Sequence, residues 1–184
     1  MESPDRALRM LVNALDALAE GQPPTGDRAL LARRAVAVTA ALVPGADLVT
    51  CGVAADTDDR AAVLTLAGNS PRAAELDRVQ GACGEGPTLE VLLTPTAGAA
   101  ACRDLAAAGS PWPRFARLAL ALGVKSVLAC GASGSAGRPL AVTLYSPSPD
   151  AFCRDGVAGT ARVLTRHIAM LWNAAEPAPY NDTS

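Results

Sequence analysis

The sequence predicts an α+β domain, in which a central, mostly antiparallel sheet carries helices on both faces and long helices form both ends. Two observations support this prediction. Two pairs of apolar, β-branched runs are each joined by a short polar or glycine-rich turn, which is typical of antiparallel hairpins. Around these pairs, apolar residues recur every three or four positions, which is typical of amphipathic helices.

Two helices are predicted at the start of the chain. Ser3 and Pro4 suit the N-cap and the first position of the first helix. Its leucines form a narrow seam of coiled-coil type, at Leu8, Leu11, Leu15 and Leu18. The proline- and glycine-rich residues 20–27 end this helix, and a second helix extends to Pro44.

Five extended runs are predicted to form the sheet. Residues 47–55 and 61–67 form the first hairpin, with the polar turn DTDDR between them. Residues 124–130 and 140–146 form the second hairpin, around the loop GASGSAG. A stretch near residues 98–104 is the weakest strand prediction, because alanine is a poor strand former.

Three helices are predicted between the two hairpins. Ser70 and Pro71 begin the first of them, which runs into the glycine-rich stretch GACGEGPT. Pro87 begins a short second helix directly after these glycines. The third helix follows the motif SPWP and ends at Leu122, where Gly123 is well placed as the C-cap.

The last predicted helix begins at Ser148 or Asp155. It carries a second seam, at Val157, Ala161, Leu164, Ile168 and Leu171. The two terminal seams leave two interpretations open, packing against the sheet or a bundle between two copies, and the second predicts a homodimer. We divide the chain into an N-terminal helix (1–24) as a candidate dimer element, a domain (25–175) and a flexible tail (176–184).

The composition argues against several classes of function. The net charge is −2, the pI is about 5.4 and no dense basic block occurs, so direct nucleic-acid binding is not expected. The N-terminus lacks the pattern of a signal peptide, and no apolar run reaches the roughly 18 residues of a membrane span. We therefore expect a cytoplasmic protein without a membrane partner.

The stretch GACGEGPT is predicted to be a corner between two helices. A phosphate-binding loop is rejected because no lysine follows the glycines and Pro87 removes one backbone N–H. A dinucleotide-binding turn is rejected because the glycines follow a helix and not a strand. Gly84 and Gly86 instead suit a tight turn, and Glu85 near a helix start is favoured by the helix dipole.

The sequence contains no evident catalytic or metal-binding constellation. Its five cysteines are scattered, which fits reduced thiols and lacks the close pairs of zinc sites. His167 lies beside the apolar seam of the last helix, where we expect a packing or surface role. Cys83 and Cys102 remain candidates for a redox-active pair if the fold brings them within bridging distance. We expect no metal and no cofactor.

Three stretches carry a recognisable pattern: LDRVQGACGEGPTLEVL (76–92), RDLAAAGSPWPRFARLALALGVKSVLA (103–129) and LYSPSPDAFCRDG (144–156). Together they resemble the GAF domains of actinobacterial regulators, which are often fused to an RNA-binding ANTAR output module. The most specific parts are the Asp-x-x-Gln…Gly-Glu-Gly-Pro corner, the Trp-Pro-x-Phe helix start and the Leu-Tyr-Ser…Phe run. The resemblance implies a PAS-like sheet of five or six strands, with a small-molecule pocket between the sheet and the helices at the glycine corner.

The resemblance also implies which residues organise or line that pocket. On the family pattern fall Asp77, Gln80, Glu85, Thr88, Asp104, Trp112 and Phe115. The candidate ligand-binding set further includes Cys83, Leu92 and Cys102. Relatives frequently carry an aromatic residue where Gly81 stands and a cysteine where Thr88 stands. Without that cysteine, the analogy to GAF-fold enzymes that reduce free methionine sulfoxide is weakened, and Cys83 is out of register.

The 12 residues after Trp172 are too few for an ANTAR module. Of the two explanations, a stand-alone GAF protein or a truncated one, Met1 and the polar tail favour the first. We predict a non-enzymatic sensory domain in transcription regulation, which binds an unidentified small-molecule effector and acts through a homodimer. A separate output protein is a candidate partner. Two alternatives stay open: a thiol-based redox sensor or reductase using Cys83 and Cys102, and a ligand-free dimerisation or docking module.

Overall fold

The computed structural model of the protein describes residues 4–20, 27–55, 62–94, 98–133 and 139–175. Within these ranges the chain forms six helices and five strands, in the order α1 (Pro4–Ala19), α2 (Arg28–Leu42), β1 (Leu48–Ala55), β2 (Ala62–Gly68), α3 (Pro71–Cys83), α4 (Pro87–Leu93), β3 (Ala99–Cys102), α5 (Pro113–Ala121), β4 (Ser126–Ala132), β5 (Leu140–Ser146) and α6 (Val157–Ala174). The predicted cap at Ser3, the DTDDR turn, the second half of the GASGSAG loop and the tail lie outside the described residues.

The five strands form one sheet in the order β2-β1-β5-β4-β3, and every neighbouring pair is antiparallel. This arrangement confirms the predicted α+β class. Both predicted hairpins are present, since β1 pairs with β2 and β4 pairs with β5. The alanine-rich stretch forms the short edge strand β3, because its backbone pairs with β4 despite the low strand propensity of alanine.

The alternation of side chains along the central strands separates two cores. Val49 of β1 and Leu144 of β5 pack in the core that includes residues of α1, α2 and α6. Their chain neighbours Thr50 and Tyr145 point to the other side of the sheet, where α3 and α4 lie. All seven residues of β5 are buried, because helices cover both faces of this strand.

The seam residues whose side chains the structure describes pack inside one copy of the chain. Leu18 of α1 and Leu164 and Ile168 of α6 belong to a single core cluster, and Leu171 packs against its edge. Packing within the monomer therefore accounts for these residues, and a homodimer would need another face of the two helices. In the described part of the chain, no helix combines the length and the hydropathy that a membrane crossing requires.

The last helix starts later than predicted. It begins at Val157, whereas the sequence favoured Ser148 or Asp155. Gly156 precedes it with a left-handed φ of +83°, and Asp150 has a φ of +55°, so the connection from β5 is a series of turns. Positive φ values cannot be accommodated in a right-handed helix, which explains the later start.

Two alanine substitutions in α6 distinguish its buried seam from its outer face. Ile168→Ala should lower the free energy of unfolding by about 2–5 kcal/mol, because the side chain is 0% exposed. In the monomer, Met170→Ala should change it by less than about 0.5 kcal/mol, because Met170 is 66% exposed within one copy of the chain. Guanidinium unfolding at a protein concentration at which the chain is monomeric measures both values. A larger loss for Met170→Ala would contradict the assignment of the seam to the monomer core.

Candidate functional site

The glycine-rich stretch forms a sharp corner between α3 and α4, as the sequence predicted. Ser70 caps the start of α3, where its Oγ accepts from the N–H of Ala73 at 3.2 Å. Gly84 ends α3 with a left-handed φ of +67°, and its N–H donates to the carbonyl of Gln80 at 2.9 Å. Gly86 follows with a φ of +147°, and Pro87 is the first residue of α4.

Beneath this corner, α3, α4 and the sheet enclose seven polar side chains, which we call the polar cluster. Its members are Thr50, Thr65, Asp77, Gln80, Thr88, Thr143 and Tyr145. All except Thr65 are buried. Their hydrogen bonds join three strands and two helices, and each of the seven bonds at least one other member.

Asp77 is the ionisable carboxyl of the cluster, and three hydroxyl groups donate to it. Thr50 and Tyr145 donate to Oδ1 at 3.1 and 2.9 Å, and Thr65 donates to Oδ2 at 2.9 Å. Burial raises the pKa of Asp77 from its ordinary 3.8 to about 6, although the three hydrogen bonds act in the opposite direction. Burial also raises the pKa of Tyr145, so its hydroxyl keeps the proton that it donates to Asp77.

Gln80 and Thr88 hold α3 and α4 together by a two-point contact. The backbone N–H of Thr88 donates to Oε1 of Gln80 at 2.8 Å, and Nε2 of Gln80 donates to Oγ1 of Thr88 at 2.8 Å. Nε2 also donates to the hydroxyl of Tyr145 at 2.9 Å. A further bond of 2.8 Å joins the hydroxyls of Thr88 and Thr143.

Glu85 links the corner to α5. Its Oε1 accepts from the backbone N–H groups of Arg114 and Phe115, the latter at 3.1 Å, in the first turn of α5. The side chain of the N-cap residue Trp112 forms no capping hydrogen bond with this helix. Glu85 therefore accepts from N–H groups that have no partner within the first turn of a helix. Its role in the structure is that of a remote helix cap.

The other candidate residues lie around the cluster or away from it. Leu92 and Phe115 are buried in the apolar core on the same side of the sheet. Trp112 belongs to that core as well, and its Nε1 donates to Oε2 of Glu90 at 3.0 Å. Asp104 stabilises a turn after β3, where its Oδ1 accepts from the N–H of Ala106 at 2.9 Å.

The structure does not bring Cys83 and Cys102 together. Cys83 ends α3 two residues after Gly81, which lies against Ala62 at the start of edge strand β2. Cys102 lies in the opposite edge strand β3, with three strands between the two edges, or roughly 19 Å at about 4.8 Å per step. A disulfide needs Cα atoms within about 7 Å. The proximity that the thiol hypothesis requires is therefore missing.

The cysteines and His167 show no arrangement suited to nucleophilic or metal chemistry in the described part of the chain. All five cysteines are free, and burial raises the pKa of Cys51 to about 12 and that of Cys130 to about 11. His167 lies on α6, which packs on the other side of the sheet from Cys83 and α3. Among the described residues, no group of three His, Cys, Asp or Glu side chains could hold a metal ion.

Four members of the polar cluster escaped the sequence analysis: Thr50, Thr65, Thr143 and Tyr145. A signal for three of them was present, because polar residues at alternate positions of apolar strands share one face. Thr143 and Tyr145 are two residues apart in LAVTLYS, and Thr50 stands inside LVTCGV. Thr65 was harder to find, because the β1–β2 register shifts between Cys51 and Gly52.

Comparisons with known proteins identify the fold. No protein-family model matches the chain, and no curated protein matches it. A solved GAF domain from an Acinetobacter phosphoenolpyruvate-protein phosphotransferase is similar, with a TM-score of 0.64 and 13% identity over 95% of this chain and 96% of that one. Free methionine-R-sulfoxide reductase from Neisseria meningitidis, solved with its substrate, has a TM-score of 0.63 and 14% identity over 95% of both chains.

An N-acylhomoserine lactone dependent LuxR family transcription factor from Burkholderia cenocepacia is also similar. Its TM-score is 0.63 and its identity 18%, over 92% of this chain and 99% of that chain. At such identities the likeness establishes the fold alone. The chain therefore has the GAF fold. The similar structures include an enzyme as well as a transcription factor.

Removing the remote cap should destabilise the corner. Glu85→Ala should lower the free energy of unfolding by about 1–2 kcal/mol, because two N–H groups of α5 lose their acceptor. Glu85→Gln keeps an acceptor oxygen and should retain most of the stability. Thermal unfolding of the three proteins checks this order. An equal loss for both variants would contradict the capping role.

The raised pKa of Asp77 makes the stability depend on pH in a defined direction. In the folded protein the pKa of Asp77 is about 6, above the ordinary 3.8. The stability that Asp77 contributes to the fold is therefore fully present below pH 3.8 and is lost as the pH rises through 6. Asp77→Asn should gain up to about 3 kcal/mol relative to wild type between about pH 4 and pH 7.5. Guanidinium unfolding across this range gives the difference.

The matched control for this pH series is Glu75→Gln, since Glu75 is a partly exposed residue of the same helix, paired with Arg78. Its stability difference from wild type should show no comparable rise. A difference between Asp77→Asn and wild type that stays constant with pH would mean that Asp77 does not titrate in this range.

Proposed function

We propose that this chain is a non-enzymatic sensory domain, which binds a small polar effector at the polar cluster and acts through a homodimer. The polar cluster is the observation that carries this proposal. Buried polar groups cost desolvation energy, and apolar side chains in the same place would avoid this cost. The hydroxyl, amide and carboxyl groups of the cluster instead provide the convergent polar contacts by which pockets orient small ligands.

The comparisons support small-molecule binding as a use of this fold. Two of the similar structures are named for a small molecule, one as N-acylhomoserine lactone dependent and the other as a complex with its substrate. The ligand-free docking module ranks second among our hypotheses, and it stays open because the hydrogen bonds of the cluster also hold α3 and α4 on the sheet.

The chemistry of the cluster favours a sensor over a reductase. None of its seven members carries a thiol. The hydroxyl of Thr88 is hydrogen-bonded to Gln80 and Thr143. Cys83 forms part of the corner but makes none of the hydrogen bonds of the cluster described above. A GAF-type regulator of the actinobacterial kind, with a separate output protein, fits these features.

Strand β5 provides a direct route from the cluster to the terminal helices. Thr143 and Tyr145 belong to the cluster, whereas Leu144 between them is buried in the core that contains α6. A rearrangement of the cluster that moves β5 therefore reaches α6 through tightly packed side chains. This route connects effector binding to the outer helical layer.

The proposed homodimer uses the outer faces of α1 and α6. Exposed apolar residues on these faces are Met10, Val12, Val163 and Met170. Charge complementarity supports a second copy as the partner, since the exposed Arg162 and Arg166 lie on α6, which contains no acidic residue. The exposed Asp16 lies in the last turn of α1, and the exposed Glu20 directly follows this helix. Packing of α6 on the α1 of another copy would pair opposite charges.

A native mass spectrum of the freshly purified full-length protein tests effector binding. We expect a dimer with additional mass that disappears on denaturation. Thr143→Val should reduce the bound fraction or weaken the affinity about tenfold, because the cluster loses the hydroxyl that is bonded to Thr88. Thr165→Val is the matched control, since Thr165 is equally buried but lies in α6 on the other side of the sheet. A dimer without added mass would favour the docking module.

Analytical ultracentrifugation tests the dimer face. Val163→Glu combined with Met170→Glu should convert a dimer to a monomer, because both changes place carboxylates in the proposed interface. The exposed Leu93, at the end of α4, provides a control as Leu93→Glu and should leave the mass unchanged. A wild-type monomer at micromolar concentration would overturn the homodimer.

A further inference from the structure

We infer that the polar cluster is a binding site for a primary carboxamide, which Gln80 fills from within the chain. This inference rests on the proposed function and gives its effector a chemical class. Gln80 is 0% exposed, and its carboxamide lies where α3, α4 and β5 meet. The side chain occupies the site in the way that a bound ligand would.

The contacts of Gln80 involve both the oxygen and the NH₂ group of its carboxamide. The backbone N–H of Thr88 donates to Oε1, which assigns this atom as the oxygen, because a backbone N–H can only donate. The two hydrogens of Nε2 have two acceptors, Oγ1 of Thr88 at 2.8 Å and the hydroxyl of Tyr145 at 2.9 Å. One oxygen and two N–H groups are thus all recognised.

The recognising groups are held by partners other than Gln80. The hydroxyl of Thr88 is bonded to that of Thr143 at 2.8 Å. The hydroxyl of Tyr145 donates to Asp77 at 2.9 Å, which leaves its oxygen free to accept from an amide. Because these bonds do not involve Gln80, the site should keep its arrangement when another carboxamide takes the place of this side chain.

Gly86 shapes the site for a planar carboxamide. A Cβ at this position would lie 2.4 Å from both Cγ and Oε1 of Gln80, closer than atoms can approach. Its φ of +147° also requires glycine. The missing side chain of Gly86 therefore provides the space that the carboxamide fills.

This arrangement makes the effector a competitor of Gln80. A primary carboxamide that enters the site must displace a group whose local concentration is high because it is part of the chain. Gln80 lies in the last turn of α3, and its carbonyl accepts from the N–H of Gly84 at the corner. Displacement of its side chain therefore acts on the corner between α3 and α4.

Chemical rescue of Gln80→Ala tests the inference. This substitution removes the four non-hydrogen atoms of acetamide, so acetamide should bind in the space left, with a Kd on the order of millimolar for so small a ligand. We expect a saturable rise in the Tm of the variant. N,N-dimethylacetamide has no N–H group and should give none. Wild type should respond to neither amide, because so weak a ligand cannot displace the carboxamide of Gln80, which is part of the chain.

Two further variants sharpen the test. Adding Thr88→Val to Gln80→Ala should weaken the response to acetamide at least about tenfold, whereas adding Thr165→Val should leave it unchanged. If Gln80→Ala does not fold alone, it is refolded with either amide, and recovery with acetamide only supports the inference. Equal effects of both amides, or no effect of either, overturn it. The wild-type mass spectrum then still decides the proposed function separately.

Discussion

The buried carboxyl of Asp77 and its hydroxyl donors determine the arrangement on the α3–α4 side of the sheet. A carboxylate in a protein interior is stable only where donors surround it. The donors come from three strands, with Thr50 on β1, Thr65 on β2 and Tyr145 on β5. These bonds place α3 over the three strands in one position, since a shift of one residue would leave the charge without partners.

Tyr145 extends this constraint to α4. Because its proton is directed to Asp77, its oxygen accepts from Gln80, and Gln80 in turn binds Thr88 at two points. The hydroxyl of Thr88 returns the network to the sheet at Thr143. Apolar residues such as Leu92 and Phe115 pack in the same layer and keep water away. A low local dielectric strengthens every bond in such a network and raises the energetic cost of breaking one.

The two faces of the sheet have different roles in this fold. One face carries the polar cluster, and the other packs the terminal helices mainly through apolar side chains such as Val49, Leu144 and Ile168. Strand β5 is buried on both sides. A displacement of Tyr145 or Thr143 must therefore move the packed side chains around β5, because no solvent borders the strand. The stacking of the layers therefore puts the polar cluster and the terminal helices on opposite faces of one buried strand, which is the connection that our proposed sensor would use.

Local patterns determined much of this protein. The order of helices and strands, both hairpins and the turn at Gly84 and Gly86 follow from periodicity, capping and backbone preferences, which act over a few residues. Asp77, Gln80 and Thr88 were also indicated by the sequence, through their place in a recognisable motif.

Only the tertiary structure decided what these residues contact. Gln80 meets Tyr145 across 65 positions, and Glu85 caps a helix that begins almost 30 residues later. The separation of Cys83 from Cys102 likewise follows from the order of strands across the sheet. Such contacts depend on which strands become neighbours and which helix covers them, and short-range periodicity carries no information about either.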